Sequence, residues 1–106
     1  MSDDEKRRKL VEFLDRHAFD PILSKSPEDF SDDKKKKFQN VKKSTESEKN
    51  RFHNDYRSAT DVKNNYLSDL NSKTAKKKNS ELEELGLPQL PEFRDQFMHL
   101  CEELHV

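Results

Sequence analysis

The sequence predicts an all-α fold, and three observations carry that prediction. The chain's single glycine, Gly86, follows an apolar-periodic run and stands two residues before Pro88. A helix end calls for a left-handed residue at that point, and glycine takes positive φ without a Cβ clash. Serine followed by carboxylates, the signature of a helix start, recurs at Ser2, Ser26, Ser31, Ser58 and Ser80. Between these signals the apolar residues fall at spacings of three and four. A chain that spends its one glycine on a helix stop has none for tight hairpins, phosphate cradles or dinucleotide-binding turns. Several large enzyme classes are thereby disfavoured.

At 106 residues the chain is long enough for one domain, spanning 1–106, with frayed ends expected at 1–3 and 105–106. Charged residues make up 41% and apolar ones 29%, against about 25% and 45–50% in typical globular domains. Those values approach the disordered range. Yet the net charge is only −1, and seven Phe and two Tyr supply large apolar surfaces. A small folded core with long solvated faces reconciles these facts.

The first helix is capped by Ser2-Asp3-Asp4-Glu5 and carries Leu10, Val11, Phe13 and Leu14 on one stripe. It should end near His17, because Pro21 disfavours helical geometry at Asp20. Ala18, Phe19, Ile22 and Leu23 then form an apolar connector. Ser26-Pro27-Glu28-Asp29 starts a single turn that ends near Phe30. From Ser31-Asp32-Asp33 a long helix runs to about Tyr56 on a thin stripe of Phe38, Val41, Thr45, Phe52 and Tyr56. Around Glu48 and Lys49 that stripe has no apolar residue, so this helix depends on its neighbours.

Ser58-Ala59-Thr60-Asp61 opens the next helix, faced by Val62, Tyr66, Leu67 and Leu70. Beyond Leu70 the pattern fades through Asn71-Ser72-Lys73-Thr74. Ser80-Glu81-Leu82-Glu83 is a further capping box, and the residues leave two readings open, a break near Asn79 or one continuous helix. Leu87-Pro88-Gln89-Leu90-Pro91 is a rigid connector. The last helix is the most apolar segment, with Phe93, Phe97, Met98, Leu100, Cys101 and Leu104. The expected architecture is four main helices in a small bundle, with one or two short extra turns. The terminal helices pair, and a long polar central hairpin of about residues 32–78 lies against them. Its two arms should be antiparallel neighbours, since the connection at Tyr56–Ser58 is short.

Candidate chemistry is sparse. On the last helix Cys101 and His105 share a face, and Glu102-x-x-His105 has the spacing used in carboxylate di-iron bundles. No second Glu-x-x-His accompanies it, and Cys101 lies on the apolar stripe, where cysteine behaves as a small hydrophobe. His53 lies near Asp55, a pair that would need a cleft to act. No acid–base, nucleophile or phosphate-binding pattern assembles. The expectation is therefore a non-enzyme without metal, cofactor or catalytic residues. No run approaches the roughly 18 apolar residues of a membrane span. The acidic start followed by Lys6-Arg7-Arg8-Lys9 lacks the apolar segment of a secretory signal. With Cys101 as the only cysteine, the expected setting is reducing and cytoplasmic.

Charge is unevenly spread. Residues 1–31 carry 6 basic and 8 acidic side chains, residues 32–79 carry 14 and 7, and residues 80–106 carry 1 and 7. The basic middle either packs on the acidic end or faces a partner. The first reading of function is contact with another protein, as a regulator or accessory subunit. Its candidate residues are Lys34, Lys35, Lys37, Phe38, Lys42, Arg51, Phe52 and Tyr56, unless these aromatics complete the core instead. The alternative is a nucleic-acid-associated protein that neutralises phosphates with Lys34, Lys36, Lys43, Lys76, Lys77 and Lys78.

Overall fold

A computed structural model describes all 106 residues. The fold is all-α: α1 (Asp3–Leu14), α2 (Asp20–Leu23), α3 (Asp32–Asn54), α4 (Ala59–Leu70), α5 (Lys73–Glu84) and α6 (Arg94–Glu103). A π turn, Asp15–Phe19, joins α1 to α2, and 3-10 turns occupy Pro27–Asp29 and Leu90–Phe93.

The first helix does not end near His17. It continues through the π turn into α2, and Asp20 itself is helical, with φ −64° and ψ −35°. Proline lacks an N–H, and its ring crowds the carbonyl four residues back, here His17. The π turn relieves that conflict, with the Asp20 N–H reaching the Asp15 carbonyl five residues away. Burial of Ala18, Phe19 and Ile22 holds this geometry in place. The result is a rod over residues 3–23, about 30 Å long at a helical rise.

Serine caps fix the starts. Ser2 accepts from the Glu5 N–H, Ser58 from Asp61 and Ser72 from Ala75. The break after α4 therefore falls at Asn71–Ser72 and not near Asn79, and Ser80 lies inside α5. Ser72 wins because Asn71 takes a helix-terminal conformation directly before it, whereas nothing interrupts the chain at Asn79. The bundle thus gains one more long helix than the four expected. At the other end of α5, Gly86 has φ +68°. The Leu87 N–H bonds the Leu82 carbonyl at 2.9 Å and the Gly86 N–H bonds Glu83 at 3.0 Å. This double return, with Leu82 and Leu87 both in the core, ends the helix as the sequence predicts.

Two cores result in a molecule measuring 47 × 21 × 19 Å. The larger joins Leu10, Val11 and Leu14 of α1 to Val62 and Tyr66 of α4 and Phe97 and Cys101 of α6. Phe52 of α3 reaches it beside Phe19. The terminal helices do meet: Phe13 lies 5.8 Å from Phe97, centroid to centroid. The smaller core gathers Ile22, Phe38, Val41, Leu82, Leu85 and Leu87 between α2, α3 and α5, with Phe30 stacked on Phe38. Each fully buried Leu or Phe contributes roughly 1.5–3 kcal/mol.

The two arms of the central segment part company. α4 packs chiefly on α1, while α3 packs on α2, the π turn and α5. Their stripes demand it, since Val62 and Tyr66 are needed in the larger core and Phe38 and Val41 in the smaller. Polar ties fasten α3 to the rod. His53 Nε2 sits 2.8 Å from Asp15 Oδ2, and Lys49 Nζ donates to Asp20 Oδ1 at 2.8 Å. His53 thus pairs with Asp15 rather than with Asp55.

Candidate functional site

The structure sorts the aromatic candidates into the cores. Phe38 and Phe52 are 0% and 1% exposed, so they are withdrawn from any surface patch. Tyr56 is half-buried, edge-on to Phe52. Tyr66 is enclosed and donates its hydroxyl to the Leu90 carbonyl at 2.8 Å, with burial holding the phenol above its usual pKa. Among large apolar side chains only Met1 is exposed. The contiguous aromatic surface that would have marked a docking patch is absent, because a chain this poor in apolar residues needs its rings inside.

Several lysines are likewise committed. Lys35 pairs with Asp32 at 2.9 Å and Lys37 with Glu84. Lys42 donates to the Lys25 carbonyl at 2.7 Å and lies over the Phe38 ring. Lys78 pairs with Glu48 at 2.9 Å. Of the candidate cations, Lys34, Lys36, Lys43, Lys76, Lys77 and Arg51 are left exposed and outside any ion pair.

What the sequence did not bring together is a polar groove between α3 and α5. One stretch, of about 200 Å³, is lined by Asn40, Val41, Ser44, Thr74, Lys77, Lys78 and Glu81. It runs into a larger cavity of about 350 Å³ where Glu48, Arg51, Asp69, Ser72, Thr74, Lys78 and Leu90 converge. Ser44, Thr74 and Lys78 belong to both, so the two are continuous. The antiparallel course of α3 and α5 fixes this geometry, with Lys37 against Glu84 at one end and Glu48 against Lys78 near the other.

The cavity holds charges of both signs. Glu48 is buried, and its Oε2 is bonded to Lys78. Asp69, at the end of α4, accepts no side-chain hydrogen bond, and its Oδ2 is shut off from solvent. Burial raises the Asp69 pKa, the Glu48 charge raises it further, and Arg51 and Lys78 pull it partly back. The one signal for this site in the sequence is the gap in the α3 stripe at Glu48. A carboxylate at an inward register position needs a cation opposite, and Lys78 supplies it.

A wider hollow of about 510 Å³, lined by Glu12, Asp15, Arg16, Asp20, Pro21 and Ser24, is the open outer face of the rod alone. No group of three or more His, Cys, Asp or Glu side chains is arranged to hold a metal ion. Cys101 is fully buried, with its thiol pKa pushed up by burial, whereas His105 is exposed at a left-handed turn. No helix is long and apolar enough to cross a membrane. Comparison with family models, with curated proteins and with solved structures finds no match to this chain.

Proposed function

We propose that the protein is a non-catalytic helical module that works through protein–protein contact, as a regulator or accessory subunit in a reducing, cytoplasmic setting. The observation that supports this reading is the α3–α5 groove, which is open, polar and lined by both charge signs. Arg51, Lys77 and Lys78 share its walls with Glu48, Asp69 and Glu81. A surface of mixed sign orients a protein partner by complementary charges, and its unused amide and hydroxyl groups at Asn40, Ser44 and Thr74 offer hydrogen bonds. The single cysteine, buried and unpaired, fits a reducing compartment.

The exposed lysines at 34, 36, 43, 76 and 77 favour a second reading, association with nucleic acid. Against it, a phosphate backbone laid along the groove would meet three carboxylates as well as the cations.

The test compares proteins retained by the tagged full chain with those retained by Asn40→Glu/Lys77→Glu and by a control change on α6, Gln96→Glu. The reading requires a partner held by the wild type and the control but lost by the groove variant. Equal retention by all three would refute the groove. Binding to mixed DNA and RNA that falls steeply with salt would favour the second reading instead.

A further inference from the structure

The two cores do not draw on the long helices alike. α1, α4 and α6 place their buried residues in the larger core. α3 spans both, with Phe38 and Val41 in the smaller and Phe52 in the larger. The far end of the rod spans them too, through Phe19 and Ile22. Of the long helices, α5 alone has no residue in the larger core: its Leu82, and Leu85 just beyond it, belong to the smaller one. On both sides of α5 the chain crosses between cores. Leu87 is in the smaller core, and Leu90 is already in the larger one, where its carbonyl accepts from the Tyr66 hydroxyl at 2.8 Å. On the other side Asn71 and Ser72 separate α5 from α4.

The seam that holds α5 down is polar and incompletely satisfied. Its only hydrogen bonds to another helix are Lys78 to Glu48 and Lys37 to Glu84. The attraction within the first pair is offset by the desolvation of both charges, and the second is exposed, where an ion pair contributes little. Two side-chain oxygens are buried without a partner, Asn79 Oδ1 of α5 and Asp69 Oδ2 of α4. Asp69 shares its cavity with Ser72, Thr74, Ala75 and Lys78, so the α5 end of the chain forms much of its cover. Buried acceptors without donors oppose docking, and water that reaches them favours release.

We propose that α5 is a strap that lifts as a unit, hinged at Asn71–Ser72 and Pro88–Gln89, while the larger core stays folded. Lifting uncovers Ile22, Phe38 and Val41 and takes the groove apart, since Thr74, Lys77 and Glu81 leave with the strap. The groove therefore exists only in the closed state, and anything that bridges α3 and α5 holds the strap down. Once lifted, a helix of 12 residues is too short to keep its structure in water. The opening belongs to the free chain, so it goes beyond the protein-contact reading and the two can fail separately.

The experiment is native-state hydrogen exchange of the full chain, read by NMR at low urea concentrations. The amides of Lys77 to Leu85 should share one opening, exchanging about 30-fold or more faster than those of Leu14, Phe52, Tyr66 and Cys101 and with a smaller urea dependence. Equal protection of the two sets would overturn the proposal, because α5 would then open only with the whole fold. So would exchange that frays inward residue by residue from the ends of α5 with no shared opening. Leu82→Glu should release the strap outright, moving the α5 amides to random-coil shifts while the methyl groups of Leu14 and Val62 keep their native dispersion. Collapse of those methyl signals in the variant would also overturn it.

Discussion

Lys78 Nζ lies 2.9 Å from Glu48 Oε2, and the two side chains keep only 11% and 8% exposure. This pair joins α3 to α5 at the one point where the α3 stripe has no apolar residue. Removing one member strands the other charge in a poorly solvated place. Lys78→Met or Glu48→Leu alone should cost about 3 kcal/mol in urea unfolding, and the double substitution should recover most of it. Additive losses in the double variant would show that the two residues act independently.

The pair also shows what could and could not be read from the residues. Helix starts at Ser2, Ser31 and Ser58 and the stop at Gly86 are local chemistry, so they were legible. The continuation through Pro21 was not, because a π turn and the burial of Phe19 and Ile22 override a local preference. The break at Asn71–Ser72 competed with an equally good capping box at Ser80. Pairing of α3 with α5 rather than α4 depends on which stripe fills which core, a non-local fact. For the same reason the cavity's Glu48, Asp69 and Thr74 could not be assembled along the chain.

Two left-handed positions give opposite predictions. A Cβ at Gly86 would meet nothing within 4 Å, so Gly86→Ala carries only the backbone penalty of φ +68°. It should destabilise by about 1–2 kcal/mol. His105 holds φ +58° as a non-glycine residue where the Val106 N–H returns to the Cys101 carbonyl at 2.9 Å. His105→Gly should raise stability by roughly 0.5–1 kcal/mol. Thermal unfolding of both variants reads the sign directly.

Asp69 links stability to pH. Its folded pKa is raised above the ordinary 3.8, chiefly by burial, so the folded state binds the proton more tightly than the unfolded chain. Below the unfolded value both states are protonated and Asp69 has no effect. As pH rises from about 4 through the folded pKa the residue becomes progressively destabilising, and by pH 7 the penalty is complete. Asp69→Asn should therefore be more stable than the wild type near pH 7, by about 1 kcal/mol, with the gain fading at pH 3. A constant gap across that range would contradict this origin.

Cys101 is 0% exposed, and its thiol pKa is raised by burial. Its reaction with a chromogenic disulfide reagent should be far slower in the native protein than in urea, following global opening. Rapid labelling of the folded chain would contradict the packing of α6 against α1.

On the function proposed above, the groove between α3 and α5 is where this protein meets its partner. A photo-crosslinking amino acid at Asn40, inside the groove, compared with one at Gln96 on the exposed face of α6, tests it most directly. The expected result is a discrete protein crosslink from position 40, competed away by untagged protein, and none from position 96. Crosslinks from position 96 with none from position 40 would contradict it.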